Sequence, residues 1–210
     1  MTVKELTRLL QPESKLEASF LEEASFVRGL QWGLPRYGHP EGSIWRHILE
    51  VSVNIDRLPA EVQMKKFGSR TTRESLRLIN WVHDTFKNIE DKSTPRNWDK
   101  HHAAFACDFL KRYIDDQQLL NIVKHHDEAY YIWRLIHLTD RQKEAEKRLV
   151  QLREYIGDYW QLYYLFFKCD TCTGDKNPAP LIWFEQEMPG IVLVDFLAEA
   201  PDISAFAPGL

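Results

Sequence analysis

Apolar residues return every three or four positions through long stretches of the chain, and polar, glycine- and proline-bearing stretches separate them. The clearest stripe is Ile44, Ile48, Val51, Ile55 and Leu58, which falls on one face of a helix. Similar stripes run through Leu76–Val82, Phe105–Tyr113, Leu119–Val123 and Leu152–Phe167, and two further helices are expected at about 3–10 and 14–30. The breaks fall near 31–42, 58–71, 88–97, 172–180 and 188–210. No stretch sustains a period of two, no Asn-Gly or Asp-Gly hairpin signal occurs, and a run such as IVLV (191–194) is too isolated to build a sheet. The pattern predicts an all-α fold, a single compact bundle of about seven or eight helices. Residues 1–35 read as a helical extension packing on the core, 36–190 as the main domain, and 191–210 as a C-terminal tail that ends loosely in PDISAFAPGL. The charged segment RQKEAEKRLVQLRE reads as a solvated helix face, too short for a coiled coil.

Several histidines and carboxylates interrupt these stripes on the side that should be buried. His47 lies three after Ile44 and four before Val51; His83 lies four after Ile79 and seven after Leu76, with Asp84 about 100° further round the helix. His102 precedes Phe105 by three and Phe109 by seven. His126 follows Ile122 by four and Leu119 by seven, with His125 beside it, and Asp170 follows Phe166 by four. One inward histidine is commonly a hydrogen-bonded core residue, but a buried carboxylate needs a partner or must protonate. Several helices each turning an imidazole or carboxylate inward are satisfied together by a shared divalent metal: Mn, Fe, Ni, Co or Zn, as one or two ions.

Composition narrows the classes. The chain has 210 residues, 44% of them hydrophobic, with 27 Lys+Arg against 31 Asp+Glu and a formal charge of −4. That balance argues against a dedicated nucleic-acid surface. The longest apolar runs are far below the roughly 20 residues that span a bilayer. The opening MTVKELTRLLQPES has no apolar signal-peptide core, and three cysteines make no extracellular disulfide framework, so a soluble cytoplasmic protein is expected. Cys169 and Cys172 have CxxC spacing but close an apolar helix, and read as packing thiols. The tryptophans sit mostly in apolar stretches and read as core. Nothing specifies an oligomeric state, and a homo-oligomer stays open.

The ordered motifs WRHILEVSVNID, INWVHDTFK, HHAAFACDFLKRY, IVKHHDEAYY and LFFKCDTCTGD resemble those of the HD-domain superfamily over about residues 36–176. The stretch RYGHPEGSIWRHILE resembles the opening of the HD domain appended to bacterial tRNA nucleotidyltransferases, without their nucleotidyltransferase domain. The resemblance implies that His47, His83, Asp84 and Asp170 hold a core metal. A second ion would use His102 and either His125 or His126, with His126 preferred on its phasing and Asp84 bridging the two ions. It implies catalysis at Asp84 by metal-activated water on a phosphomonoester or phosphodiester, with nucleotides the leading substrate class. Lys87 matches the basic position of an HDxxK pattern and is expected to bind the substrate phosphate or to orient Asp84. Arg36, Arg46 and Lys124 are further candidates for substrate contact, and His39, Glu41 and Arg134 flank the same motifs. His101 reads as an outer or surface residue, and His137 lies off the inward stripes. Two alternatives stay open: a di-iron HD-type oxygenase on the same ligands, and a non-catalytic nucleotide-binding regulator.

Overall fold

The computed structural model describes residues 1–198, so most of the expected tail, 199–210, lies outside the described residues. The chain is almost entirely helical. Three short helices open it: α1 (Val3–Leu10), α2 (Lys15–Phe20) and α3 (Ala24–Leu30). Next come α4 (Ile44–Asp56), α5 (Ala60–Met64), a hairpin of β1 (Lys66–Phe67) and β2 (Arg70–Thr71), and α6 (Thr72–Val82). The remainder is α7 (His102–Leu110), α8 (Gln117–Lys124), α9 (Glu128–Leu138), α10 (Gln142–Ile156), α11 (Trp160–Thr171) and α12 (Ala179–Glu187). Among the described residues no helix is long and apolar enough to cross a membrane.

Helix α6 is the axis of the bundle. Thr71 caps it in a reciprocal box with Glu74, which satisfies orphan amides at its start. From Ser75 to Val82 every residue is buried, because α4, α7, α8 and α11 all pack against it. A helix covered on all sides is expected to carry apolar residues all round. The polar Arg77, Asn80 and His83 are therefore conspicuous on it. α11 is similar, with Trp160, Leu162–Phe167 and Cys169 buried. α4 contributes the predicted stripe of Ile44, Ile48, Val51 and Ile55.

Helices α1–α3 insert Leu6, Leu10, Phe20, Phe26 and Leu30 into the same apolar core. Phe26 stacks on Trp81 with ring centroids 6.4 Å apart. Gly29 allows the closest approach: a Cβ there would lie 1.9 Å from the carbonyl oxygen of Thr85. That contact fixes the chain just beyond His83 and Asp84.

The structure corrects the expected element list. Twelve α-helices occur among the described residues, against the seven or eight expected. The expected 14–30 helix is broken by a turn at Leu21–Glu23, and the Leu152–Phe167 stripe is cut by Gly157, whose φ of 55° only glycine adopts freely. α5 and the hairpin fill a segment expected to be loop. The expected loose end, PDISAFAPGL, lies outside the described residues, and the start of the tail before it is held. Val194 is buried, and the Leu197 amide donates to the Arg57 carbonyl at 2.8 Å.

Candidate metal centre

Five segments meet at the C-terminal end of α6. His47 comes from the buried face of α4, His83 and Asp84 from the end of α6, and Asp170 from the last turn of α11. His102 opens α7, and His126 and Asp127 form the turn between α8 and α9. His47, His83, Asp84, His102 and His126 are all 3% exposed or less, so no bulk water solvates them.

The seven residues form two sets, and Asp84 belongs to both. Its Oδ2 lies 3.6 Å from His83 Nε2 and 3.9 Å from His47 Nε2. Asp170 Oδ1 completes this first set at 2.9 Å from His47 Nε2 and 3.7 Å from His83 Nε2. The other oxygen, Oδ1, faces His102 Nε2 at 3.3 Å and His126 Nε2 at 3.6 Å. Asp127 Oδ2 completes the second set, 3.4 Å from each of those two nitrogens.

The imidazoles are oriented from outside. His83 Nδ1 donates to the Asn80 carbonyl at 2.9 Å, and His126 Nδ1 to the Val123 carbonyl at 2.9 Å. A carbonyl only accepts, so Nδ1 carries the proton, and in the neutral ring Nε2 turns a lone pair inward. His47 Nδ1 faces Glu41 Oε1 at 3.3 Å, and His102 Nδ1 faces Glu90 Oε2 at 3.4 Å. His83 and His126 are thus anchored at the outer nitrogen as metal-binding histidines are, whereas the outer nitrogens of His47 and His102 lie near a carboxylate without a hydrogen bond.

His83 Nε2 and Asp84 Oδ1 have no hydrogen-bond partner although both are buried. Neighbouring nitrogens come close to Asp84 Oδ1 without hydrogen-bond geometry. A buried lone pair without a donor costs about 1–3 kcal/mol. A cation between the converging atoms would satisfy it, so the donors present fit a divalent ion in each set.

Burial drives the pKa of His83 down to about 3, which leaves it neutral. Burial alone would raise Asp84, but the Lys87 ammonium and the nearby imidazoles hold it well below the ordinary carboxylate range. Asp170 is likewise raised by burial and lowered further by Lys176 and His47, with a net fall. His102 behaves oppositely: burial lowers it, yet Asp127, Asp84 and Glu90 together lift it to about 10. His47 is also raised, because Asp170 and Glu41 outweigh its burial and the Lys176 charge. His102 therefore holds a proton in the metal-free protein, and the carboxylates beside His47 favour its charged form. The carboxylates call for positive charge at two places.

Two lysines flank the first set. Lys87 Nζ reaches Asp84 Oδ2 at 2.5 Å, and Lys176 Nζ reaches Asp170 Oδ1 at 2.8 Å and the Asp170 carbonyl at 3.0 Å. The loop carrying Lys176 is tied to the loop before α4, where the Gly38 amide donates to Asp175 Oδ1 at 2.6 Å. His39 sits in that same loop, its Nδ1 3.0 Å from Glu41 Oε1 and its ring edge-on to His47.

The structure thus brings together His47, His83, Asp84, His102, His126 and Asp170, with Lys87 against them. His125 is a correction: as the C-cap of α8 it turns away and stacks on Tyr155, centroids 4.8 Å apart. Arg36 and Arg46 are not in the cluster either. Arg36 is exposed and pairs through its backbone with His39, while Arg46, one position round α4 from His47, lies against the Trp45 ring. Lys124 is exposed at the rim of a neighbouring cavity, and Arg134 lies over Tyr130. His101 is an outer residue: the Ala103 amide donates to its Nδ1, and its Nε2 faces Glu90 at 3.3 Å.

Sequence reasoning missed Asp127, Glu90 and Lys176. For Asp127 a signal existed, since a His-Asp doublet at the end of an apolar helix occurs at both 83–84 and 126–127. Glu90 and Lys176 lie in loops, where no periodicity points to them. Compared with protein-family models, with curated proteins and with solved structures, the chain matches none.

Proposed function

We propose that the chain is a metal-dependent phosphohydrolase of the HD type, acting on a small phosphorylated compound. The observation that carries this reading is the division of Asp84: each carboxylate oxygen faces a separate pair of imidazole Nε2 atoms, and a further aspartate closes each set. His47, His83, Asp170 and Asp84 Oδ2 would hold one ion, and His102, His126, Asp127 and Asp84 Oδ1 the other. Divalent ions supply hydroxide at neutral pH by lowering the pKa of water from 15.7 to about 7, and offset charge on a phosphoryl oxygen.

The chain's own residues supply the remainder. Lys87 stays an ammonium despite its burial, because Asp84 outweighs the desolvation and raises its pKa. Lys176 is held near the first set by the Asp170 carbonyl, a bond that does not depend on the carboxylate. Two ammonium groups at one side of the centre favour a phosphate over an uncharged substrate. They also favour hydrolysis over oxygen activation, which gains nothing from fixed cations at that position. Glu41 and Glu90 stand 3.3 and 3.4 Å behind the outer nitrogens of His47 and His102, where they would steady those rings electrostatically.

The test is elemental analysis of the purified protein paired with phosphate release from a panel of nucleotides and simple esters. One or two equivalents of transition metal are expected, with release abolished by chelation. Asp84→Ala should lower the rate by roughly a thousand-fold or more, the scale of losing several kcal/mol of charge stabilisation, while far-UV circular dichroism stays unchanged. Bound iron with oxygen uptake and no phosphate release would transfer the assignment to an oxygenase. No metal retained and no activity after adding back Mn, Co, Ni, Zn and Fe would remove the enzyme reading.

A further inference from the structure

Two asparagines lie buried on the helices that carry the first set, and the chemistry proposed above uses neither side chain. Asn80 of α6 is fully buried, and Asn54 of α4 is 5% exposed. Burying an amide is costly unless its hydrogen bonds are made, and an apolar residue of the same size would fill the space more cheaply. Asn80 shows that cost, because its Oδ1 has no partner. Its bonds all run from the nitrogen.

Both amides turn their nitrogens towards a neighbouring helix. Asn80 Nδ2 donates to the Ile48 carbonyl at 3.0 Å and to Ser52 Oγ at 3.1 Å, which joins α6 to α4 immediately after His47. Asn54 Nδ2 donates to the Cys169 carbonyl at 2.8 Å and the Cys172 carbonyl at 2.9 Å, which joins α4 to α11 on either side of Asp170. Those acceptors lie in the last turn of α11 and at its cap, where helical carbonyls run out of partners. Asn54 follows His47 by seven positions, so both side chains leave one face of α4, about 10 Å apart along its axis. α4 thus grips the end of α11 at two points, with His47 on the Asp170 carboxylate and Asn54 on the backbone around it.

We infer that Asn80 and Asn54 are positioning residues of the metal centre: each fixes one ligand helix against α4, so that His83, His47 and Asp170 stay within reach of one ion. This rests on reading the centre as a metal site and adds what sets its spacing. Three helices supply the first set, and the two amides join them in the order α6, α4, α11. Asn80 acts twice, since its backbone carbonyl also accepts from His83 Nδ1 at 2.9 Å. One residue therefore sets the aim of that ring and the distance of its helix from His47. The second set is built without them. Among the described residues neither side chain bonds to α7 or to the turn at His126 and Asp127.

The experiment uses the full chain and Mn²⁺ alone, in a competition titration with a coloured chelator. His126→Ala leaves the first set as the intact one, and His83→Ala leaves the second. In the His126→Ala background, Asn80→Leu and Asn54→Leu should each weaken Mn²⁺ binding by about ten-fold or more, the scale on which outer partners of a metal centre act. In the His83→Ala background the same substitutions should leave the affinity unchanged. Ser52→Ala is the gentler variant. It removes one acceptor of Asn80 and suits an α-helix, so the fold is kept, and it should give a smaller loss in the first background only.

Equal losses in both backgrounds would make the asparagines general supports of the fold, and no loss in either would leave the helices spaced by packing alone. Both results overturn the inference. The two readings also fail separately. Wild-type protein that binds two ions and releases no phosphate sinks the hydrolase and leaves the asparagines in their role. Phosphate release from protein whose first set ignores all three variants sinks the asparagines alone. Failure of the wild type to bind any ion removes both.

Discussion

Helix α6 carries two buried polar constellations, and they differ in how completely they are satisfied. At its middle, Arg77 meets Glu17 of α2. Nε donates to Oε1 at 2.9 Å and one terminal nitrogen to Oε2 at 2.8 Å, while the Glu13 amide also donates to Oε2 at 2.6 Å. The same terminal nitrogen of Arg77 also lies 3.2 Å from the Gln11 carbonyl. No side-chain atom of this pair is left buried without a partner. At its end, His83 and Asp84 stand among five other ligand-type residues, and His83 Nε2 and Asp84 Oδ1 are unpartnered. Both places bury charge. Only the first balances its own hydrogen bonds, and it serves to fasten α2 to the core. The second is arranged for something brought from outside. Buried polarity alone does not mark a candidate site, and neither does a single unpartnered atom, since Ser75, Asn80 and Trp81 of the same helix each have one; what sets the end of α6 apart is unpartnered atoms gathered among several imidazoles and carboxylates.

Breaking the self-sufficient pair should have the largest effect on stability. Glu17→Ala leaves Arg77 buried with its partner gone, which costs about 3–5 kcal/mol in comparable pairs. Glu13 Oε1, 3.1 Å from Arg77, remains and keeps the loss near the low end. At about 2–4 °C per kcal/mol for a chain of this size, the midpoint of thermal unfolding should fall by roughly 6–12 °C. Metal content measured on the same sample should not change. A loss of metal would mean that the two constellations are one cooperative unit and that the contrast fails.

Adding the missing partner to the other constellation should move stability the opposite way. Mn²⁺ at a hundred times its dissociation constant should stabilise the fold by about 2.7 kcal/mol, readable as a rise in the unfolding midpoint of several degrees. Asp84→Asn should abolish that increment, because one oxygen serves each set, whereas Glu17→Ala should retain it. Glu41→Ala sharpens the point with a smaller effect. It removes the carboxylate behind His47 Nδ1, together with the partner of His39 Nδ1, so metal affinity should fall by about 10–100-fold in a competition titration with a coloured chelator. An unchanged affinity would mean that His47 is aimed by its packing alone.

The contrast between the constellations also explains what the sequence disclosed. His47, His83, His102, His126 and Asp170 were legible because each interrupts an apolar stripe, and helical period ties stripe to core. The same phasing favoured His126 but left His125 open, and it is the fold that turns the His125 ring towards Tyr155. Asp127 sits in a turn, and Glu41, Glu90 and Lys176 in loops, where only tertiary contacts decide what a side chain meets. The face of α10 was hidden for another reason. Arg148 and Gln151 line the cavity beside Lys124 from within a run so rich in Lys, Arg and Glu that it reads as a solvated face. Helix ends were the least legible, since the breaks at Leu21–Glu23 and Gly157 depend on how neighbouring helices must turn.

The smallest expected effect is in the pH dependence of the metal-free protein, and its sign follows from the unsatisfied constellation. His83, His101 and His125 are all depressed by burial, to about 3, about 4 and about 4, against an ordinary value of 6.5. Between pH 6.5 and 4 the unfolded chain binds protons at these positions that the folded chain refuses, so stability falls as the pH drops. His102 is lifted to about 10, so from pH 6.5 to 10 the folded chain holds a proton that the unfolded chain releases, and stability falls as the pH rises. The two limbs place the maximum of the unfolding midpoint near pH 6.5 in the presence of a chelator. His125→Gln should make the acid limb shallower without moving the alkaline one. Saturating metal should flatten the alkaline limb, because a ligating imidazole has already given up its proton. An alkaline limb unchanged by metal would separate His102 from the centre and leave the second set without its first ligand.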